Sequence, residues 1–165
     1  MKSTAQLKSV IYISIIAALG GFLFGFDTAV ISGTIDSIKT AEYGFGLSSG
    51  ELGFAVASVL FGSAIGAWYA GLSAMRFGRV RVMIIASIMF FISALGSALA
   101  TGLWSFVLWR FIGGIGVGIA AVIAPAYIAE VSPAHLRGRL GTLQQLAIAI
   151  GLFTSFVSNY ILANI

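Results

Sequence analysis

Three polar residues in apolar surroundings are the candidates for chemistry in this sequence. Asp27 and Arg110 each lie inside a long apolar run, and Gln145 is the second of two adjacent glutamines in another such run. A charge at membrane depth costs several kcal/mol without a partner, so such residues mark functional sites by default. Asp27 is the only acidic residue within a predicted span, and we therefore expect it to pair with Arg110. Such a pair can respond to a proton, and a carboxamide can hydrogen-bond a hydroxyl group.

The composition assigns the chain to membrane proteins. Of its 165 residues, 59% are hydrophobic and 8% are charged, whereas soluble domains are about 25% charged. The net charge of +4 does not indicate nucleic-acid binding, because the basic residues lie between apolar runs and form no face with interleaved aromatics. With no cysteine and one histidine, His135, no metal site is predicted. No cluster of titratable groups resembles a catalytic site, so we do not expect an enzyme.

Five apolar runs are long enough to cross a hydrocarbon core of about 30 Å as helices. They predict an all-α membrane protein with spans at 10–31, 52–74, 82–100, 103–126 and 140–162. A polar loop is predicted over 32–50 and a charged loop over RFGRVR, 76–81. Because proline breaks helices, Pro125 and Pro133 are expected to set the turn after the fourth span.

Lysine and arginine are distributed unequally between the two sides of these spans. One side carries seven of them, and the other carries only Lys39. The seven are Lys2, Lys8, Arg76, Arg79, Arg81, Arg137 and Arg139. The positive-inside rule places this side, with the N-terminus, in the cytoplasm and predicts a multi-pass protein of the cell membrane. Asp27 then lies roughly 6 Å and Arg110 about 10 Å from the same outer surface, at 1.5 Å per residue.

Pairs of glycines spaced four residues apart predict close helix contacts. Gly62 and Gly66 lie in the second span, and Gly114 and Gly118 lie in the fourth. Small residues at this spacing let helix backbones approach each other in lipid. The letters of 116–121 also fit a dinucleotide fingerprint, but no strand precedes them, so no cofactor is predicted.

Four segments together resemble the sugar porters of the major facilitator superfamily, and bacterial pentose and hexose proton symporters most closely. They are GGFLFGFDTAVISG at 20–33, RFGR at 76–79, WRFIGGIGVG at 109–118 and PAYIAEVSPAHLRGRLGTLQQ at 125–145. The resemblance implies two six-helix halves that alternate access around a central sugar site. This chain would supply the first five helices of the N-terminal bundle, and the C-terminal half needed for transport would lie outside it.

The resemblance also implies roles for individual residues. Asp27 matches the carboxylate that takes the proton in symporters of the family, and Arg110 matches its partner. Phe24 and Gln145 match residues of the sugar site. Each has a simpler alternative: a structural ion pair for the two charges, aromatic packing for Phe24 and an interhelical hydrogen bond for Gln145.

Charged residues on the predicted cytoplasmic side resemble the cytoplasmic gate of the family. They are Arg76, Arg79, Arg81, Glu130 and Arg137. In the family they would form charge networks that hold the outward-open state. Met75 stands where the family pattern has an acid and Val80 replaces its last arginine, so the resemblance does not carry over this part of the network. Alternatively, Arg79 and Arg81 only set the topology.

Three hypotheses of function follow. Asp27 favours sugar:proton symport, with a monosaccharide, a proton and the lipid bilayer as partners. Facilitated sugar uniport without an ion is the second hypothesis. The third is a truncated membrane product, and we expect no transport by these 165 residues alone. These helices do not identify the sugar, because most hydroxyl contacts in the family resemble those of the second half.

Overall fold

The computed structural model describes residues 4–39 and 48–163, and within these ranges it consists of five α-helices. The helices are α1 (Thr4–Lys39), α2 (Ser49–Phe77), α3 (Arg79–Ala98), α4 (Leu103–Val131) and α5 (Arg137–Ala163). Each is long and apolar enough to contain a membrane span. The predicted fold class, an all-α membrane protein with five helices, is confirmed.

The loop predicted between the first two spans is shorter than expected. Helix α1 continues to Lys39 through the first polar residues, and 40–47 lie outside the described residues. Helix α2 begins after Ser48, whose hydroxyl accepts a hydrogen bond from the Glu51 backbone N–H, while the Glu51 carboxylate accepts one from the Ser48 N–H at 2.9 Å. This reciprocal capping satisfies backbone donors that a helix start leaves free, and it fixes the start of α2.

The charged loop predicted over 76–81 is almost entirely helical. Only Gly78 separates α2 from α3, with φ 84° and ψ 153°. A positive φ is accessible to glycine without steric cost, so one residue makes the whole turn. The arginines of this segment consequently lie on the last turn of α2 and the first turn of α3.

The prediction for Pro125 is wrong. Helix α4 passes through Pro125 and ends at Val131, just before Pro133. A proline within a membrane helix is tolerated because neighbouring groups can satisfy the backbone group that it frees. Proline also disfavours the helical conformation of the residue before it, and Ser132, just before Pro133, is extended with ψ 138° where α4 ends.

Helix α4 lies at the centre of the bundle and packs against each of the other four helices. Half of the membrane-spanning part of α4 is buried, compared with 22–33% of the corresponding part of each other helix. Its closest partner is α2, where a β-carbon on Gly62 or Gly66 would collide with the backbone carbonyls of Phe111 and Ile115. On the facing helix, Gly114 and Gly118 have the same close contact with the backbone of α2. The two glycine pairs therefore form one backbone-to-backbone crossing.

Helices α1 and α5 form a second close crossing. Gly25 lies against the backbone of Ile148, and Gly151 lies against the backbone of Phe22. Large apolar side chains elsewhere on the helices are exposed, among them Trp68 at 79% and Phe153 at 70%. This distribution suits a bundle whose outer surface contacts lipid or other helices and whose crossings use small residues.

Candidate functional site

Asp27 and Arg110, the two charges predicted to pair, are in contact. The Nη1 of Arg110 donates to Oδ1 of Asp27 at 2.6 Å, and this ion pair joins α4 to α1. The exposed fractions of the two side chains are 10% for Arg110 and 18% for Asp27. A pair removed from water in this way is held by its geometry, because either charge alone would lack compensation.

The guanidinium of Arg110 is incompletely hydrogen-bonded. Its Nε is buried and has no hydrogen-bond partner among the described residues. The pair is therefore joined through one nitrogen and one oxygen, and the side-by-side geometry with two bonds is not formed. A proton on Asp27 would remove the negative charge opposite Arg110, which is the chemistry that this arrangement allows.

The adjacent glutamines of α5 have different surroundings. Gln145, predicted to contact sugar, is exposed, whereas Gln144 is 7% exposed and packs against Gly21 of α1. The buried Oε1 of Gln144 has no hydrogen-bond partner among the described residues. Sequence reasoning missed Gln144 as a residue of the helix interface, because neighbouring positions on a helix point about 100° apart and the sequence does not fix the rotation of the helix.

Phe24 is half-buried and lines a cavity of about 350 Å³ between α1, α3 and α4. Nearly all the side chains around this cavity are apolar; Ser87 and Tyr127 are the polar ones. Gln145 is not among its lining residues. The structure thus does not bring Phe24 and Gln145 into one described cavity, and the lining offers few groups that could bond a polyol.

The predicted gate residues cluster at the end of the bundle where α2 meets α3 and α4 meets α5. Arg79 donates to Glu130 through Nη2 at 2.9 Å and through Nε at 3.2 Å, so its fork engages the carboxylate twice. Arg137 donates to the carbonyl of Ala129, near the end of α4, at 3.0 Å. The Arg76 guanidinium lies over the Phe77 ring at 5.5 Å, a cation–π contact. Arg81 is exposed.

The chain was compared with known proteins. A family model described as "Sugar (and other) transporter" matches residues 13–165. The chain belongs to this sugar transporter family. Family membership and the five membrane-length helices found among the described residues make it a multi-pass protein of the cell membrane, as predicted.

Relatives of this sugar transporter chain include proteins named for two sugars. It is 55% identical to the glucose transport protein of Synechocystis sp. over 98% of this chain and 34% of the relative. It is 41% identical to the D-xylose-proton symporter of Escherichia coli K12 over 99% of this chain and 38% of the relative. The resemblance to sugar porters is thereby confirmed, and these relatives are transporters.

Comparison with solved structures also places the chain among the sugar transporters of the major facilitator superfamily. The major facilitator superfamily proton:xylose symporter XylE, bound to 6-bromo-6-deoxy-D-glucose, matches with a TM-score of 0.86 and 42% identity, over 95% of this chain and 38% of XylE. The sugar transporter chain therefore spans little more than a third of the length of the relatives that it matches.

Proposed function

We propose that this chain forms the first five helices of the N-terminal bundle of a sugar:proton symporter. The buried contact between Asp27 and Arg110 carries the proposal, because it places a titratable carboxylate opposite a fixed positive charge between two helices. The 41% identity to a D-xylose-proton symporter supports proton coupling. The 55% identity to a glucose transport protein supports a monosaccharide as substrate.

The proposed coupling follows from the cost of an unpaired buried charge. While Asp27 is ionised, its carboxylate compensates Arg110 and holds α1 against α4. Protonation of Asp27 removes this compensation and leaves a guanidinium that is only 10% exposed without its counter-charge. Breaking a buried pair in this way costs about 3–5 kcal/mol, which is enough to shift a two-state equilibrium between arrangements of the bundle.

Gln145 and Phe24 are the proposed sugar contacts of this part of the protein. The exposure of Gln145 supports the role, because an exposed carboxamide is accessible to a ligand held between this bundle and another one. Phe24 lies one helical turn before Asp27, so a sugar that contacts the ring would lie near the proton site.

The predicted cytoplasmic gate is proposed to rest on Arg79 and Glu130. Their ion pair ties the start of α3 to the last turn of α4, and Arg137 ties the start of α5 to the same turn. The proposed gate therefore has one ion pair and one hydrogen bond at the end of α4, although Met75 occupies the position of the family's acidic residue.

The experiment measures proton movement in the full-length transporter, meaning this chain continued by the remaining part of a sugar porter. In proteoliposomes, adding the sugar should alkalinise the outside, and an imposed proton gradient should accumulate the sugar. The variant Asp27→Asn should lose accumulation about a hundredfold or more while sugar-for-sugar exchange continues, since exchange needs no proton release. Retained exchange also shows that the variant is folded.

Facilitated uniport is the competing function, because the glucose transport protein of Synechocystis is named without an ion. Uniport predicts that a proton gradient does not concentrate sugar and that Asp27→Asn equilibrates sugar as fast as the unmodified protein. Proton-driven accumulation that is unchanged in Asp27→Asn would reject Asp27 as the coupling residue.

A further inference from the structure

Helix α3 contacts α4 closely at Trp109 and at Gly113, before and after Arg110 in the sequence. The hydroxyl of Ser93 donates to the backbone carbonyl of Trp109 at 2.5 Å, and Ser93 is only 5% exposed. Gly113 lies against the same hydroxyl so closely that a β-carbon at Gly113 would collide with it. One turn further along α3, the ring of Trp109 rests on Gly96, which also has no room for a β-carbon.

These contacts fix α4 in two directions. The hydrogen bond from Ser93 sets the position of α4 along its axis, and the fit of Trp109 on Gly96 sets its rotation. Trp109 directly precedes Arg110, and successive residues of a helix point about 100° apart. When Trp109 faces α3, Arg110 is turned toward α1, where it meets Asp27 at 2.6 Å.

The ion pair tolerates little rotation of α4. Helix side chains end about 5–6 Å from the axis, so a rotation of about 20° moves a side-chain tip by roughly 2 Å. At that displacement a charged hydrogen bond of 2.6 Å would be stretched beyond bonding distance unless the Arg110 side chain changed its rotamer. The contact between α3 and α4 is therefore of the right size and place to decide whether Arg110 reaches Asp27.

We propose that Ser93 is a positioning residue for the proton site: with Gly96 and Gly113 it holds α4 so that Arg110 pairs with Asp27. The inference rests on the proposed function for its meaning in transport, but the geometric part stands without a substrate. Among the described residues, Arg110 is the charged group in contact with Asp27. Of the other helices that pack on α1, α5 has its charges, Arg137 and Arg139, in its first turn, and α2 has Glu51 in its first turn and Arg76 in its last.

A double-mutant cycle on thermal unfolding tests the geometry. Ser93→Ala should lower the apparent Tm by about 2–4 °C, the shift expected for one lost hydrogen bond in a chain of this size. In the Asp27→Asn background the same substitution should lower Tm by less than half as much, because Arg110 no longer has a charged partner to be positioned for. Equal shifts in both backgrounds would show that Ser93 only stabilises the fold, and would overturn the proposal.

The matched control is Ser87→Ala. Ser87 lies on the same helix, but it is exposed and its hydroxyl donates within α3, to the Ile84 carbonyl at 2.8 Å. Its substitution should leave Tm unchanged in both backgrounds. A coupling between Ser87 and Asp27 as large as that of Ser93 would also count against a specific role.

Transport by the full-length protein supplies a second readout. Ser93→Ala should reduce proton-driven sugar accumulation about threefold to tenfold while sugar-for-sugar exchange stays within about twofold. A parallel fall of accumulation and exchange, or no change in either, would contradict positioning. If the unmodified protein shows no proton-coupled uptake at all, the proposed function fails, and the unfolding cycle, which uses no sugar, still decides the role of Ser93.

Discussion

At the scale of single residues, the described part of the chain contains two arginine–carboxylate ion pairs in different environments. Arg110 and Asp27 are 10% and 18% exposed, whereas Arg79 and Glu130 are 33% and 50% exposed. Exposed pairs contribute little to stability because water screens them and long side chains must be ordered. Buried pairs are costly to break because the remaining charge stays uncompensated. The proposal therefore assigns proton coupling to the buried pair and an adjustable gate contact to the exposed one.

This contrast predicts different effects of one substitution at two arginines. Arg110→Gln should reduce the free energy of unfolding by about 3–5 kcal/mol, because Asp27 is left buried without its partner. The double variant Asp27→Asn/Arg110→Gln should recover most of that loss, since no charge remains. Unfolding of this chain by denaturant in detergent micelles measures both, and a double variant as unstable as the sum of the single ones would contradict the argument.

Arg79→Gln is the matched control, and it should leave the unfolding midpoint nearly unchanged because its pair is exposed. In the full-length transporter the same change should act on the gate instead. It should accelerate the reaction of a cysteine at Gln145 with a water-soluble maleimide applied from the predicted cytoplasmic side. An unchanged rate would show that the Arg79–Glu130 pair does not hold that end closed.

The pairing of Asp27 with Arg110 could be predicted because the spans offered one acid and one base, and topology alone put them at similar depth. The environment of the two glutamines could not be predicted, because spacing along a helix does not determine how the helix is rotated in the bundle. Gln144 is buried and Gln145 exposed for that reason. The hydrogen bond of Ser93 could not be predicted either, because the sequence does not show which of several serines on a helix bonds to a neighbouring helix.

At the scale of helices, small residues determine which helices approach each other. The spacing of Gly62 and Gly66, and of Gly114 and Gly118, predicted two small faces, and the structure packs them on one another. The spacing could not say which helices would pair. The helix boundaries were less predictable. Pro125 lies within α4, although it was expected to help end the helix. The six-residue loop predicted over 76–81 is reduced to a turn at Gly78 alone.

A pair of glycines on α2 tests the role of close approach. Gly66→Ala should reduce the free energy of unfolding by about 1–3 kcal/mol, because its β-carbon meets the backbone carbonyl of Ile115, which cannot move aside without displacing α4. Gly71→Ala, on the same helix but facing open space, should be neutral or stabilising by up to about 1 kcal/mol through higher helix propensity. Denaturant unfolding of this chain in micelles compares the two, and equal effects would mean that the crossing is not close-packed.

At the scale of the whole molecule, the two ends of the bundle differ in charge. One end carries the arginines of the α2–α3 and α4–α5 connections, with Glu130 paired to one of them. The other end carries the Ser48–Glu51 cap and the contact between Phe54 and Trp104, whose rings lie 6.3 Å apart. An aromatic contact of this kind suits a membrane interface, and the arginine-rich end suits the cytoplasmic side.

The resulting orientation is open to a direct labelling experiment, because the chain contains no cysteine. Thr101 and His135 are both exposed, and they lie in the turns before and after α4. Helix α4 has 29 residues, so it is about 44 Å long, more than the roughly 30 Å of a hydrocarbon core, and the two turns must lie on opposite sides. In intact cells a membrane-impermeant maleimide should label Thr101→Cys but should label His135→Cys only after permeabilisation. The reverse pattern would place the arginine-rich end outside the cell, and the gate assigned to Arg79 and Glu130 would then face the wrong compartment.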